Sequence, residues 1–98
     1  MGETDDFEWD DQKDTANLEK HRVPLRFGVL LFDDPYLVRL VVRPVGDEIR
    51  YLAVGRIGKR VLACVYALRG ARRRLISLRA ARRSERRVYE AQVGEGED

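Results

Sequence analysis

An unbroken apolar run, Val61-Leu62-Ala63-Cys64-Val65-Tyr66-Ala67-Leu68, lies between Gly58-Lys59 and Gly70, and it limits what this chain can become more than any other segment. With no polar break and glycine turns at both ends, it predicts a central strand covered on both faces. Partners for it are legible on either side. Ile49–Arg56 alternates Arg50, Leu52 and Val54 against Ile49, Tyr51 and Ala53. Arg74–Arg79 reads as a last strand, with Leu75 and Ser77 on one face and Ile76 and Leu78 on the other. Upstream, Tyr36–Arg43 is apolar with Arg39 and Arg43 on one face, and Pro44-Val45-Gly46-Asp47-Glu48 supplies a turn. Short connections between sequential strands favour antiparallel pairing, because parallel neighbours need a long crossover.

Helical spacing flanks this sheet. Phe7-Glu8-Trp9 alternates as a short strand, and Asp10 then stands as the N-cap of a helix that ends at Lys20-His21-Arg22, acids first and bases last. Lys13, Asn17 and Lys20 or His21 share one face of it. Pro24 opens a second short helix in which Phe27, Leu30 and Leu31 share a side, until Asp33-Asp34-Pro35 stops it; Gly28 weakens this helix. A last helix runs from about Ala80 to Ala91, with Ala80, Ser84, Val88 and Ala91 inside and Arg82, Glu85, Arg86 and Tyr89 on a wet, mostly arginine side. The expected architecture is α+β: a curled antiparallel sheet of about four strands, two amino-terminal helices and one carboxy-terminal helix.

At 98 residues there is room for one domain with a modest core. It is expected over residues 7–91, with flexible tails at 1–6 and 92–98. Cys64, the only cysteine, falls inside the apolar run and reads as a buried, inert thiol. No stretch is long and apolar enough to span a membrane and no signal peptide is visible, so a reducing, cytoplasmic setting is expected.

Charge divides the chain. Residues 1–20 carry eight acids against two lysines, whereas residues 56–90 carry twelve basic residues against Glu85 and Glu90 alone. Arginines at 72–74, 79, 82, 83, 86 and 87 form either a solvated basic face or a phosphate-binding one, and bidentate guanidinium forks favour the second. Tyr51, Tyr66 and Tyr89 are sheet or core residues or base-stacking platforms, and Tyr89, on the arginine side, is the one kept as a substrate contact. The only histidine, His21, either stabilises a helix end or works in a site; one histidine and one cysteine support neither a Cys/His metal cluster nor a catalytic triad. The Gly55–Lys59 segment precedes a strand, so its glycines mark a hairpin rather than a phosphate loop.

Several ordered blocks resemble the BrnT toxin family. Phe7-Glu8-Trp9-Asp10, Lys13, Asn17, Lys20-His21, Val23 and Phe32-Asp33-Asp34-Pro35 are similar to its opening signature. Glu48, Arg50, Gly55, Arg60-Val61-Leu62, Arg74-Leu75-Ile76-Ser77, Arg79, Ala81, Glu85-Arg86 and Tyr89 resemble its close. The chain departs from the family pattern at Arg22, where glycine is common, at Gly28, where alanine is usual, and at Leu78.

The resemblance implies a type II toxin of RelE-like fold that cleaves mRNA and inhibits translation. It also implies neutralisation by a ribbon-helix-helix antitoxin of the BrnA type, in a hetero-oligomer that reaches operator DNA only through the antitoxin. No cofactor or metal is expected. In metal-independent cleavage the ribose 2′-hydroxyl attacks the adjacent phosphate, which needs proton movers and fixed cations. His21, Lys20 and Glu85 are the candidate proton movers. Arg50, Arg79 and Arg82 are candidates for charge stabilisation, and Arg74, Arg86, Tyr89, Lys13 and Asn17 for substrate contact. An inhibitor covering these arginines would mask the site. The alternative is a nucleic-acid-binding or regulatory protein that never cuts, using the basic helix as a phosphate clamp.

Overall fold

The computed structural model describes residues 1–42, 44 and 46–96. In it the apolar run becomes β5 (Arg60–Arg69), inside a six-stranded sheet. Its partners are β4 (Arg50–Ile57) and β6 (Arg72–Ala80), both antiparallel; β3 (Val38–Val41) extends the sheet beyond β4. Beyond β6 lie β2 (Phe7–Trp9) and β1 (Gly2–Glu3), giving the order β1-β2-β6-β5-β4-β3. The segment expected as an amino-terminal tail thus contributes a short edge strand. The roles expected for Arg43 and Val45 lie outside the described residues.

This corrects the expected architecture. The α+β class holds, but the sheet has six strands rather than about four, and it is mixed: β2 runs parallel to β6. Short connections favour antiparallel pairing only between sequential strands, and β2 and β6 are far apart in sequence. The expected pair of amino-terminal helices is also not formed. The first, α1 (Asp11–His21), is present, with the Asp10 carboxylate accepting from the backbone N–H of Gln12 and Lys13. In place of the second is a 3-10 turn at Leu25–Phe27 leading into the four-residue α2 (Gly28–Leu31).

Both faces of the sheet are covered. On one, Leu25 and Leu31 pack with Phe7, Cys64, Leu75 and Leu78. On the other, α3 (Arg83–Gly96) sets Tyr89 and Val93 against Leu52, Val54 and Ala63. Gly28 is fixed by the first of these cores, since a Cβ there would sit 3.2 Å from Cys64 Sγ and 3.3 Å from Leu75 Cδ1. An alanine would require Cys64 and Leu75 to give way by a few tenths of an ångström. Burial of Cys64 pushes its thiol up to about 12, which leaves it protonated and unreactive.

The outer edge of β6 is closed in two ways. β2 pairs only with Arg73 and Arg74. Past that point α1 runs alongside, and the Asn17 carboxamide takes the place of a strand: the Leu78 N–H donates to Asn17 Oδ1 (3.0 Å) and Asn17 Nδ2 donates to the Leu78 carbonyl (2.7 Å). Nδ2 also donates to the Val23 carbonyl at 2.8 Å, which fixes the chain reversal after α1. That reversal needs Arg22 at φ 65°, the left-handed region, and so explains why glycine would be natural there.

Two stability outcomes follow. Asn17→Ala leaves the Leu78 backbone groups unpaired in a buried place and should cost about 2–4 kcal/mol in urea denaturation. Arg22→Gly relieves left-handed strain at the expense of a more flexible unfolded chain and should stabilise by about 0.5 kcal/mol in the same measurement.

Candidate functional site

A bulge in β6 decides which side chains reach the α3 face. Register runs Val65↔Ser77 and then Tyr66↔Leu75, so Ile76 is the extra residue. Leu75 and Leu78 therefore both turn into the core under α1 and α2, rather than lying on opposite faces as simple alternation predicts. On the other face the shift aligns Arg74, Ser77 and Arg79. Cross-strand pairing sets Arg50 in the Arg74 row, through Ala67.

Arg79 is held in place. Its two terminal nitrogens donate to the Glu85 carboxylate at 2.7 and 3.0 Å, and the Arg82 N–H donates to Glu85 Oε1 at 2.7 Å. The last contact is half of a capping box: Glu85, in the first turn of α3, reaches back to the cap residue. Arg79 holds the Glu85 carboxyl below the usual range, against a burial that pushes it the other way. Glu85 itself raises Arg79. With both oxygens engaged, Glu85 positions an arginine and is a poor proton mover.

A groove of about 240 Å³ runs between α1 and β6, lined by Lys13, Ala16, Asn17, Lys20, His21, Ile76 and Ser77. It brings the expected residues of α1 together and sets them beside Ser77, one alternation from Arg79 on the same strand face. Asn17 lies at its base with the amide already used on Leu78 and Val23. Lys13 and Lys20 are exposed and His21 half-buried.

Other expected residues lie elsewhere. Arg74 is on the same face but ion-paired to Glu8 at 2.6 Å. Arg50 lies in the same row two strands away, its Nε buried without a partner. Arg86 lines a separate groove of about 530 Å³ with Arg83, Arg87 and Glu90. Tyr89 reverses the expected faces of the last helix: Glu85 and Tyr89 are its buried residues, whereas Ser84, Val88 and Ala91 are exposed. Being 2% exposed, Tyr89 has no free ring for a base.

Sequence reasoning missed Asp34. Its Oδ2 accepts from the Tyr89 hydroxyl (2.6 Å) and the Arg56 N–H (2.8 Å), and its Oδ1 from the Tyr36 N–H (2.8 Å). One carboxylate thus ties α3, β4 and the segment before β3. Gly55 leaves room for it, because a Cβ there would meet Asp34 Oδ2 at 3.3 Å and Leu37 Cδ1 at 3.0 Å. Partial burial would raise the Asp34 carboxyl, but the three donors and the Arg56 charge outweigh it and leave it below the usual range. Burial and the Asp34 charge push the Tyr89 hydroxyl up. The signal was present as Asp33-Asp34-Pro35, which also reads as a plain helix stop.

Among the described residues, no three His, Cys, Asp or Glu side chains converge in a way that could hold a metal ion, and no helix is long and apolar enough to cross a membrane. Taken together, the molecule is a small α+β domain with a basic, open strip on one sheet face. Residues 9–85 match the family model described as "Ribonuclease toxin, BrnT, of type II toxin-antitoxin system", and the chain belongs to that family. It is a toxin of such a system, a ribonuclease with an antitoxin protein as its partner. No curated protein matches it.

Asp34 and Glu85 both sit below their ordinary values of 3.8 and 4.5 in the folded protein. Their contribution to stability is therefore complete above those values and is lost as pH falls through the lower, folded ones. Thermal unfolding from pH 7 to pH 2 should show a decline confined to the acid side of about pH 4.5. Asp34→Asn and Glu85→Gln should each lower the neutral-pH midpoint and flatten that decline.

Proposed function

We propose that the strip between α1 and α3 is where this toxin cleaves mRNA, without a metal ion. The observation that carries the reading is the α1 groove: Lys13, Lys20 and His21 meet Ser77 there, and Arg79 follows on the same strand face. In the proposed reaction His21 accepts the proton of a ribose 2′-hydroxyl. The freed oxygen bonds to the adjacent phosphorus, and the bond from phosphorus to the 5′-oxygen breaks. Lys20 donates a proton to the departing oxygen. Arg79, held by Glu85, faces the charge that builds on the phosphoryl oxygens, the kind of fixed cation that stabilises such a state best. Lys13 and Arg82 steer the RNA backbone, and Arg50 and Arg74 extend the basic track along the sheet. Cleavage of mRNA would stop translation, with a BrnA-type antitoxin as the neutralising partner and operator DNA bound only through it.

The test uses purified protein and end-labelled RNA in excess chelator. Wild type should cut; His21→Ala and Arg79→Ala should each lose about 10²–10⁴-fold in rate, the usual scale for a proton mover or a charge-stabilising group. Glu85→Gln should lose less, because it loosens Arg79 without removing it. RNA bound intact by wild type in a salt-sensitive way would instead support a protein that binds and never cuts. Chelator-sensitive cleavage would refute the metal-free step.

A further inference from the structure

The opposite face of the sheet carries a feature of different chemistry. At the end of that face left bare by α1 and α2, a groove of about 320 Å³ is lined by Arg39, Val41, Tyr51, Tyr66, Leu68 and Arg73. Its floor is apolar. Tyr51 and Tyr66 stack on one another, ring centroids 5.5 Å apart. Val41 is 73% exposed and Leu68 56%, and Leu40, which also lines the groove, is 38% exposed. Exposed apolar side chains scattered singly are ordinary, but several around one concave floor mark an interaction surface. An arginine stands on either flank, and Arg73 is stacked over the rings of Phe32 and Phe7 at 4.9 and 5.6 Å. Beside the groove runs β3, a four-residue edge strand with no strand on its outer side among the described residues.

We propose that this groove is the anchoring site of the antitoxin, and that it takes a segment alternating apolar residues with acids, laid along the edge of β3. The proposal rests on the toxin–antitoxin reading above. Apolar side chains of the segment would cover Val41, Leu68 and the tyrosine floor, and its carboxylates would meet Arg39 and Arg73. An apolar floor with cationic rims suits such a segment better than RNA. Tyr66 is 3% exposed and cannot stack on a base, and among the described residues two cations, Arg39 and Arg73, border the floor. The RNA-facing strip differs in its charge: Lys13, Lys20, Arg79 and Arg82 gather along it, which suits it to steering a phosphate backbone rather than to anchoring a protein segment.

The experiment uses the full chain carrying Val41→Glu and Leu68→Glu together, with Arg39→Glu as a second variant, each checked for a native circular-dichroism spectrum. Both apolar positions are exposed, so the fold should survive. The expected result is separation of function. The double variant cleaves RNA at the wild-type rate, yet the cognate antitoxin binds it at least 100-fold more weakly and fails to relieve toxicity on co-expression, and Arg39→Glu loses about 10-fold in binding. Antitoxin affinity within 3-fold of wild type in both variants would overturn the proposal. Loss of RNA cleavage in the double variant would hand the groove to RNA, and a wild-type dimer that the double variant breaks would hand it to a second copy; either result overturns it as well. Failure of the ribonuclease reading would show separately, as wild-type protein that leaves RNA intact while still binding the antitoxin.

Discussion

The outer edge of β6 is the constraint on which the site depends. A strand edge within a fold cannot leave its N–H and C=O groups unpaired, and β2 is too short to satisfy more than the first part of this one. The carboxamide of Asn17 completes the pairing because it offers a donor and an acceptor in the geometry of a peptide group, which few other side chains can do. That requirement fixes α1 in rotation as well as in position. Once Asn17 faces Leu78, the residues four before it and three and four after it, Lys13, Lys20 and His21, must lie along the same seam. The placing of the only histidine is thus a by-product of satisfying a backbone.

The bulge at Ile76 is the second determinant, and it acts on core and site at once. It lets Leu75 and Leu78 enter the same core and, by the same half-turn, puts Arg74 in line with Ser77 and Arg79. A regular β6 would have set Leu75 on the α3 face and turned Arg74 away. The charge split of the sequence then resolves along this strand. Glu3 and Glu8, carried by β1 and β2, pair with Arg72 and Arg74 at its start, and Glu85 pairs with Arg79 near its end. Among the described residues, Arg82, Arg83, Arg86 and Arg87 form no ion pair, so the excess positive charge gathers at the amino-terminal half of α3.

Much of this was legible. The central strand, its antiparallel neighbours and the Asp10 cap follow from apolar runs, glycine turns and an acidic first turn, all of which are local signals. What was not legible depends on contacts distant in sequence. The parallel pairing of β2 with β6 has no local cue, and a two-residue strand such as β1 has no periodicity to detect. In Arg74-Leu75-Ile76-Ser77-Leu78, alternation fits a regular strand as well as a bulged one. The face of α3 was misjudged because its buried residues, Glu85 and Tyr89, both have polar ends, whereas Val88 and Ala91 supply the aliphatic signal on the exposed side. Burial there is set by two partners, Arg79 and Asp34, that lie on other elements.

The same strand also connects the two proposed surfaces. Arg73 and Arg74 are neighbours in sequence and so point to opposite faces of the sheet: Arg73 borders the apolar groove, and Arg74 stands at the end of the basic strip. A partner anchored in the groove would lie across the sheet from Arg74, at one end of the proposed RNA track. Having gained its affinity from apolar contact, it would need only an extension around the end of the sheet to reach Arg74 and Arg50. A segment tethered so close acts at a high effective concentration, so even weak contacts with those arginines could exclude RNA. Dividing the labour in this way would let the proposed substrate strip stay open to RNA without giving up tight control by a protein.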